Sequence, residues 1–436
     1  MKNKAVLAIV AVLVALAAAV LWNHSQRRQG EPDATDTAPT HQAGPTEPHP
    51  ELAAADPAVL DPAPRADRAG PGESLALVSG RPVGTLGLSL ENEVRAAVGR
   101  ALDWLAALQR EDGSWSNPNF PALTGLAVQA FVGSSHPRAD EIVARASAYI
   151  VSCVQADGGI YRKPDGRRGG GLSTYNTAVC MTALHATGNP EWTRHVLNAR
   201  TFIAGSQLVG DDRYEGGFGY DRQTDRAYAD LLNTYYAVIA MRETADAEEA
   251  RPDGEARADI DWSKTVQFVE RLQNPAEAGD EQAGGFIYKP GESAAGTVTN
   301  EAGVVHFRSY GNMTYAGLLA LIYADVDRED VRVRSAFDWA ARHWTLEENP
   351  GMGQDGLFFF YNVLTKSLSA MGADAIPRVA DQSPINWREE LARRLVATQI
   401  IEPETGRGFW KNDSGRYWEN DPVLVTAYSL LALQML

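Results

Sequence analysis

Trp104-Leu-Ala-Ala-Leu-Gln109, running into Asp112-Gly113-Ser114-Trp115, reads as a helix end, a glycine turn and an aromatic residue that folds back on the turn. The theme returns along the chain, and a repeat of this kind decides the architecture before any single element does. Tyr149 through Gln155 leads to Asp157-Gly158-Gly159-Ile160-Tyr161, and Phe202 through Gln207 to Gly216-Gly217-Phe218-Gly219-Tyr220. Phe268 through Gln273 leads to Gly284-Gly285-Phe286-Ile287-Tyr288, and Leu395 through Gln399 to Gly406-Arg407-Gly408-Phe409-Trp410. The fifth of the six copies is degraded: Phe337 through Trp344 lacks the Gln, and Asp355-Gly356-Leu357-Phe358 stands for the turn. Copies recur at roughly 45 to 70 residues, the excess lying in loops.

Each copy obeys the same physics. Before the Gln lies an amphipathic helix, in the first copy with Val94, Val98, Leu102, Leu105 and Leu108 at three- or four-residue steps. Glycine permits the tight turn with positive φ, and the Gln side chain has turn backbone to bond. After each turn comes a helix apolar on every side: Ala122 to Val132, Thr174 to Thr187, Leu231 to Met241, Gly311 to Ala324 and Val423 to Leu436. A helix of that kind belongs inside. Outer and inner helices alternating six times predict an all-α fold, an (α/α)6 toroid over residues 85–436. No run of period-2 alternation competes with it.

The rest of the chain sets the surroundings. Its 436 residues are 44% hydrophobic and carry a formal charge of −16. That acidity argues against nucleic acid as a partner, which demands a basic face. Ala5 to Trp22 is uncharged and preceded by Lys2 and Lys4. At 1.5 Å per residue about 18 such residues just reach the ~30 Å hydrocarbon core of a bilayer. The lysines orient the segment with its N-terminus in the cytoplasm. Residues 1–24 are therefore expected to be a transmembrane signal anchor in the cytoplasmic membrane, with the globular domain on the extracytoplasmic side. A cleaved signal peptide ending near Ala17, Ala18 and Ala19 competes, and Arg27 and Arg28 count against the orientation. Residues 25–84, rich in Pro, Ala, Asp, Glu, Thr and Gly, read as a disordered linker. Thr244 to Asp259 reads as a surface loop within the domain. The two cysteines, Cys153 and Cys180, both fall at apolar helical positions and are expected to be buried thiols rather than a disulfide.

The Gln-x-x-Asp-Gly-x-Trp turn before an apolar inner helix resembles the repeats of the squalene–hopene cyclase and protein prenyltransferase β-subunit superfamily, the prenyltransferase and squalene oxidase repeat. The likeness covers about residues 90 to 436. It implies a central cavity surrounded by inner-helix N-termini and an isoprenoid-like ligand. It does not bring the chemistry with it. The cyclases of that superfamily protonate an alkene with the middle acid of Asp-x-Asp-Asp-Thr-Ala. Aligned on its Thr, that motif falls here on Ser173-Thr174-Tyr175-Asn176-Thr177-Ala178, without an acid. Asp230-Leu231-Leu232-Asn233-Thr234 keeps the first acid only, and Tyr310-Gly311-Asn312-Met313-Thr314 keeps none. The transferases hold zinc with an Asp, a Cys two residues on and a distant His. Val151 and Ala178 stand where the Asp would precede Cys153 and Cys180. Neither a metal nor a cofactor is expected.

What the inner-helix starts carry instead is a polar and aromatic set. Tyr175, Asn176, Asn233, Tyr235, Tyr310, Asn312, Tyr361 and Asn362 are the candidate ligand-binding residues, because aromatic walls with amide and hydroxyl groups suit a hydrophobic or glycan ligand. Asp230, Asp355 and Asp421 are the candidate acids, and Asp421 or Glu419 is the carboxylate to set against Asp230 across the cavity. Helix capping explains Asn and Asp at such positions equally well. Three functions remain open: a toroid that binds a hydrophobic or glycan ligand without cyclase or zinc transferase chemistry; a divergent terpene cyclase or polysaccharide-degrading enzyme; and a scaffold for a protein partner.

Overall fold

A computed structural model of the chain describes residues 86–163, 171–210, 213–222, 227–300, 303–378 and 383–436. The anchor and linker expected at 1–24 and 25–84 lie outside the described residues. Among the described residues no helix is long and apolar enough to cross a membrane.

Among the described residues twelve α-helices alternate between two layers. The outer ones are α1 (Leu88–Leu108), α3 (Ala139–Ser152), α5 (Thr193–Ala204), α7 (Trp262–Glu270), α9 (Val331–Arg342) and α11 (Trp387–Thr398). The inner ones are α2 (Pro121–Phe131), α4 (Ser173–Ala186), α6 (Leu231–Glu243), α8 (Gly311–Tyr323), α10 (Leu357–Met371) and α12 (Pro422–Leu433). Every inner helix packs on the next, and α12 packs back on α2, so the inner layer closes into a ring. All eleven residues of α2 are buried, whereas α1 buries the stripe Leu90, Val94, Ala97, Ala101 and Leu105 and leaves Leu108 exposed. That contrast sorts the layers: an apolar surface all round is stable only where other helices cover it all round.

The turns hold the ring together. Gly113, Gly158, Gly216 and Gly284 all have φ between 86° and 88°, conformations that disfavour a side chain. A methyl on any of them would also collide with a carbonyl of the next outer helix, at Arg145, Asn198, Lys264 and Ser335 respectively. In four of the five copies that have it, the Gln before the turn reaches the same neighbour; Gln155 stays in its own turn, donating to Cys153 O (3.1 Å) and Tyr161 O (2.7 Å). Gln109 Nε2 donates to Gly113 O (3.2 Å) and to Ile142 O (3.0 Å) on α3; Gln273 Nε2 donates to Gly284 O (2.9 Å) and to Arg332 O (2.8 Å) on α9. Gln399 does this across the seam, donating to Ala97 O (2.8 Å) on α1, while its Oε1 accepts from Arg100 Nε at 2.9 Å. In those four copies the Gln is thus more than a turn cap: it joins one hairpin to the next. In the degraded copy Trp344 takes its place, its Nε1 donating to Glu390 on α11 at 2.9 Å.

Trp115 and Trp410 staple the turn to the preceding outer helix through Nε1 bonds to Leu105 O (2.7 Å) and Leu395 O (2.9 Å). A threonine in the first turns of the inner helix then receives the backbone N–H of the residue after the turn. Thr124, Thr177, Thr234, Thr314 and Thr426 accept from Trp115, Ile160, Phe218, Phe286 and Trp410 at 2.8–3.2 Å.

Three expectations are corrected. Phe358 is not an aromatic residue after a turn, because Gly356, at φ 71°, leads directly into α10 and Phe358 is already helical; the turn sits earlier, at Asn349–Gly353. The stretch from Thr244 is no plain surface loop. Its short helical turn Ala245–Ala250 buries Glu248 between Arg200 (2.8 Å) and Arg251, and Arg200 also bonds Met241 O, Thr244 Oγ1 and Ala258 O. Strands are not wholly absent, since β1 (Thr297–Thr299) pairs with β2 (Val305–Phe307) and β3 (Ile400–Ile401) with β4 (Gly408–Phe409), both antiparallel. Both cysteines are free and buried.

Candidate functional site

At the N-terminal ends of the inner helices the ring encloses a cavity of about 540 Å³. All six inner helices or the loops leading into them contribute to its wall. At its deep end Tyr175 of α4, Tyr236 of α6, Phe359 of α10 and Tyr428 of α12 meet. Tyr175 stands edge-on to Tyr236 with ring centres 4.8 Å apart, Phe359 stacks on Tyr236 at 6.1 Å, and the Tyr236 and Tyr428 hydroxyls are 3.2 Å apart. Burial pushes all three hydroxyls above the ordinary tyrosine range, so they stay neutral donors.

The outer part of the cavity is built by loops. Tyr220 and Tyr288 come from the third and fourth turns and line the cavity, while Phe218 and Phe286, two residues before them, are buried in the core. Tyr310 lines the wall at the N-cap of α8. Tyr417 and Trp418 stand at the mouth, 47% and 46% exposed, with Trp418 edge-on to Phe120 at 4.3 Å. Both hold left-handed backbone (φ 60° and 65°), as does Leu172 (φ 55°), which also lines the cavity. Strain of this kind persists only where surrounding contacts enforce it, and it gathers at functional sites.

Of the eight candidate ligand residues, three line the cavity: Tyr175, Tyr310 and Asn312. The other five do not, and each has a structural reason. Asn176 accepts from Ala122 N at 2.9 Å and donates to Gly171 O at 2.8 Å, capping α2 from its neighbour. Asn233 donates to Asp230 Oδ2 at 2.8 Å within its own helix cap. Tyr235 is buried behind the wall, edge-on to Tyr236 (5.0 Å) and to Phe359 of α10 (6.0 Å), and Tyr236 takes the place expected of it. Tyr361 donates its hydroxyl to Leu346 O and receives Arg394 Nε at 3.3 Å, on the outer side of α10. Asn362 is buried in the ring wall, 4% exposed.

None of the three candidate acids lines the cavity. Asp421 caps α12 through Val423 N (2.9 Å) and accepts from Ser116 Oγ, tying the last inner helix to the first turn. Asp355 accepts from Ser414 Oγ (2.5 Å) and from Arg416 Nη1 (3.1 Å), which fixes the loop at the mouth. Asp230 caps α6 through Asn233 N (2.8 Å) and is completely buried. Burial pushes its carboxyl up to about 6, against hydrogen bonds from Asn233, Tyr228 and Tyr288 that pull it down. It therefore reaches the cavity only through tyrosine hydroxyls, Tyr288 being 2.9 Å from Tyr228 and 3.4 Å from Tyr220.

Among the described residues two carboxylates do line the cavity. Glu292 at the rim is paired with Lys289 at 2.8 Å. Glu419 is buried and accepts from Phe359 N (2.8 Å), Phe358 N (3.3 Å) and Asn412 Nδ2 (2.7 Å), capping α10. Burial raises its carboxyl, with those hydrogen bonds opposing. Asp230 and Glu419 are thus not two carboxylates facing one another across open space. Among the described residues no group of three or more His, Cys, Asp or Glu is arranged to hold a metal ion.

Cavity residues absent from the sequence expectation include Tyr220, Tyr236, Tyr288, Glu292, Tyr417, Trp418 and Tyr428. Only Tyr220 and Tyr288 left a usable signal, the repeated Gly-Phe-x-Tyr.

Comparison with protein families and with curated proteins finds no match. Among solved structures the chain is similar to a type II terpene cyclase from Scytonema (11% identity, TM-score 0.48, covering 80% of this chain and 99% of that one). It is similar also to a D-mannose isomerase (12%, 0.49, 81% and 99%). A third likeness is to an α-1,6-mannanase of a Salegentibacter species (12%, 0.48, 79% and 98%).

Proposed function

We propose that this toroid binds a predominantly apolar small molecule in its central cavity. The observation that carries the reading is the wall itself: aromatic rings from every side of the ring around about 540 Å³, a volume inside the ~300–1,000 Å³ usual for small-molecule sites. A glycan would need several polar side chains converging on its hydroxyls; beyond the tyrosines this wall has Asn312, Glu292, Arg416 and Glu419, and the last three are already engaged by Lys289, Asp355 and the start of α10. The open volume also counts against a purely scaffolding role, for which a ring filled by its own side chains would suffice. Farnesol titrated into the full-length chain, followed by tryptophan fluorescence, is expected to bind saturably. Ala294→Trp, which fills the cavity from a loop, is expected to abolish that binding while leaving the circular dichroism unchanged. Equal binding by the variant would sink the reading.

A divergent enzyme is the second reading, favoured by one observation: Asp230, with a carboxyl near 6, adjoins a row of tyrosine hydroxyls that ends in the cavity. Incubation with squalene and with prenyl diphosphates, then mass spectrometry, separates the two. A cyclised or transferred product lost in Asp230→Asn favours the enzyme; unchanged substrate favours binding alone.

We further propose, from the N-terminal stretch alone, that residues 5–22 anchor the chain in the cytoplasmic membrane with the toroid outside. Accessibility of the toroid to protease added to intact spheroplasts tests this, and protection would overturn it.

A further inference from the structure

The deep and the outer parts of the cavity use their hydroxyls differently. At the deep end Tyr175 bonds Tyr428 and Tyr236, and the Tyr236 and Tyr428 hydroxyls are 3.2 Å apart. Three hydroxyls that meet in this way supply one another with donors and acceptors, so that end asks nothing polar of a ligand. The outer part is not closed in this way. Tyr288 donates to the Tyr220 hydroxyl at 3.4 Å, which leaves the hydrogen of Tyr220 itself without an acceptor among the described residues. Tyr310 shows only 3% of its surface, yet its hydroxyl, which has no hydrogen-bond partner there, is not sealed off. Burial raises both phenols above the ordinary tyrosine range, so each keeps its hydrogen. Arg416 adds further donors: its side chain is half exposed and gives only Nη1 to Asp355, at 3.1 Å. All three residues line the wall, and the Tyr310 phenol interacts electrostatically with both Tyr220 and Arg416, which puts the donors on one side of the cavity.

A wholly apolar ligand filling this space would strip water from those hydrogens and return nothing, which costs an unmade hydrogen bond at each. A ligand that only donates would meet groups of its own kind. An anion would share Arg416 with Asp355 and enter a wall that also carries Glu292 and Glu419. A neutral acceptor oxygen avoids all three costs. We infer that the ligand of this cavity carries a ketone, aldehyde or ester oxygen at its outer end, held by the Tyr220 and Tyr310 hydroxyls beside Arg416, with its hydrocarbon body reaching inward to Tyr236 and Phe359. The inference rests on the apolar-ligand reading above and narrows it to a class, an apolar chain ending in a neutral carbonyl.

Four probes on one hydrocarbon skeleton test it: farnesene, methyl farnesoate, farnesoic acid and farnesylamine, titrated calorimetrically into the full-length chain at neutral pH. The ester is expected to bind about tenfold more tightly than farnesene or the amine, the effect of one or two hydrogen bonds made or missed, and more tightly than the acid. Tyr220→Phe and Tyr310→Phe each remove one donor and keep the ring. Each is expected to weaken the ester about threefold to tenfold beyond any change in farnesene affinity. The two variants are independent, so misfolding of one leaves the other to decide. An ester no tighter than farnesene, an acid or amine tighter than the ester, or an ester preference that survives both variants would overturn the inference and leave the apolar cavity standing. Failure of every probe to bind, farnesene included, would remove the apolar-ligand reading itself.

Discussion

Asp230 sits at the only inner-helix start that keeps an acid of the protonating motif, and its burial gives the protein a pH dependence of definite sign. Its carboxyl rises from an ordinary 3.8 to about 6, so the folded state holds the proton more tightly than the unfolded chain. The stability this contributes is fully present below 3.8 and is lost as pH rises through about 6. A shift of that size corresponds to roughly 3 kcal/mol. Asp230→Asn, which can still cap α6, is expected to flatten melting temperature against pH across this window. Glu243 and Glu419, raised in the same direction by burial, keep part of the slope. Glu248 behaves oppositely. Burial would raise its carboxyl, but hydrogen bonds from Arg251 and Arg200 outweigh that and hold it at about 2. Its contribution is present above the ordinary 4.5 and is lost as pH falls through about 2. Glu248→Ala leaves buried Arg200 unpaired and is expected to cost about 3–5 kcal/mol in urea unfolding. An isolated polar loop would lose almost nothing.

The repeated Gln joins one hairpin to the next, and the repeated Thr ties each turn to the inner helix that follows it. Gln399→Ala removes the bond to Ala97 O and the acceptor for Arg100 across the seam, a loss of about 1–3 kcal/mol. Hydrogen exchange is expected to speed up first in α1 and α11, the helices it joins; uniform acceleration around the ring would contradict the seam assignment. Thr234→Val keeps the volume but leaves Phe218 N–H without its acceptor, and is expected to cost about 1–2 kcal/mol, with Thr234→Ser largely restoring it. The Gln was legible in the sequence because it stands at the same place in five copies. Its second partner was not, since Ile142, Arg332 or Ala97 offers only a backbone carbonyl, which every residue has.

For the ring as a whole, closure depends on α12. Its buried Leu424, Val425, Leu430 and Leu431 fill the space between α10 and α2, and Asp421 links its start to the first turn. Deleting 422–436 exposes the flanks of both neighbours, and a single cooperative unfolding transition is expected to give way to broad melting with rapid proteolysis in α1 and α2. An unchanged transition would mean that the ring is not the unit of stability. The number of hairpins, the alternation of amphipathic and all-apolar helices and the glycine turns were all readable from the residues, because periodicity and turn chemistry are local properties of the chain. The identity of the cavity wall was not. On an outer helix one face is polar, so the pattern itself says which side looks inward. On α6, apolar all round, Tyr235 and Tyr236 are equivalent in the pattern, and only the packing of the ring makes Tyr236 part of the cavity wall and buries Tyr235 behind it, edge-on to Tyr236 and Phe359.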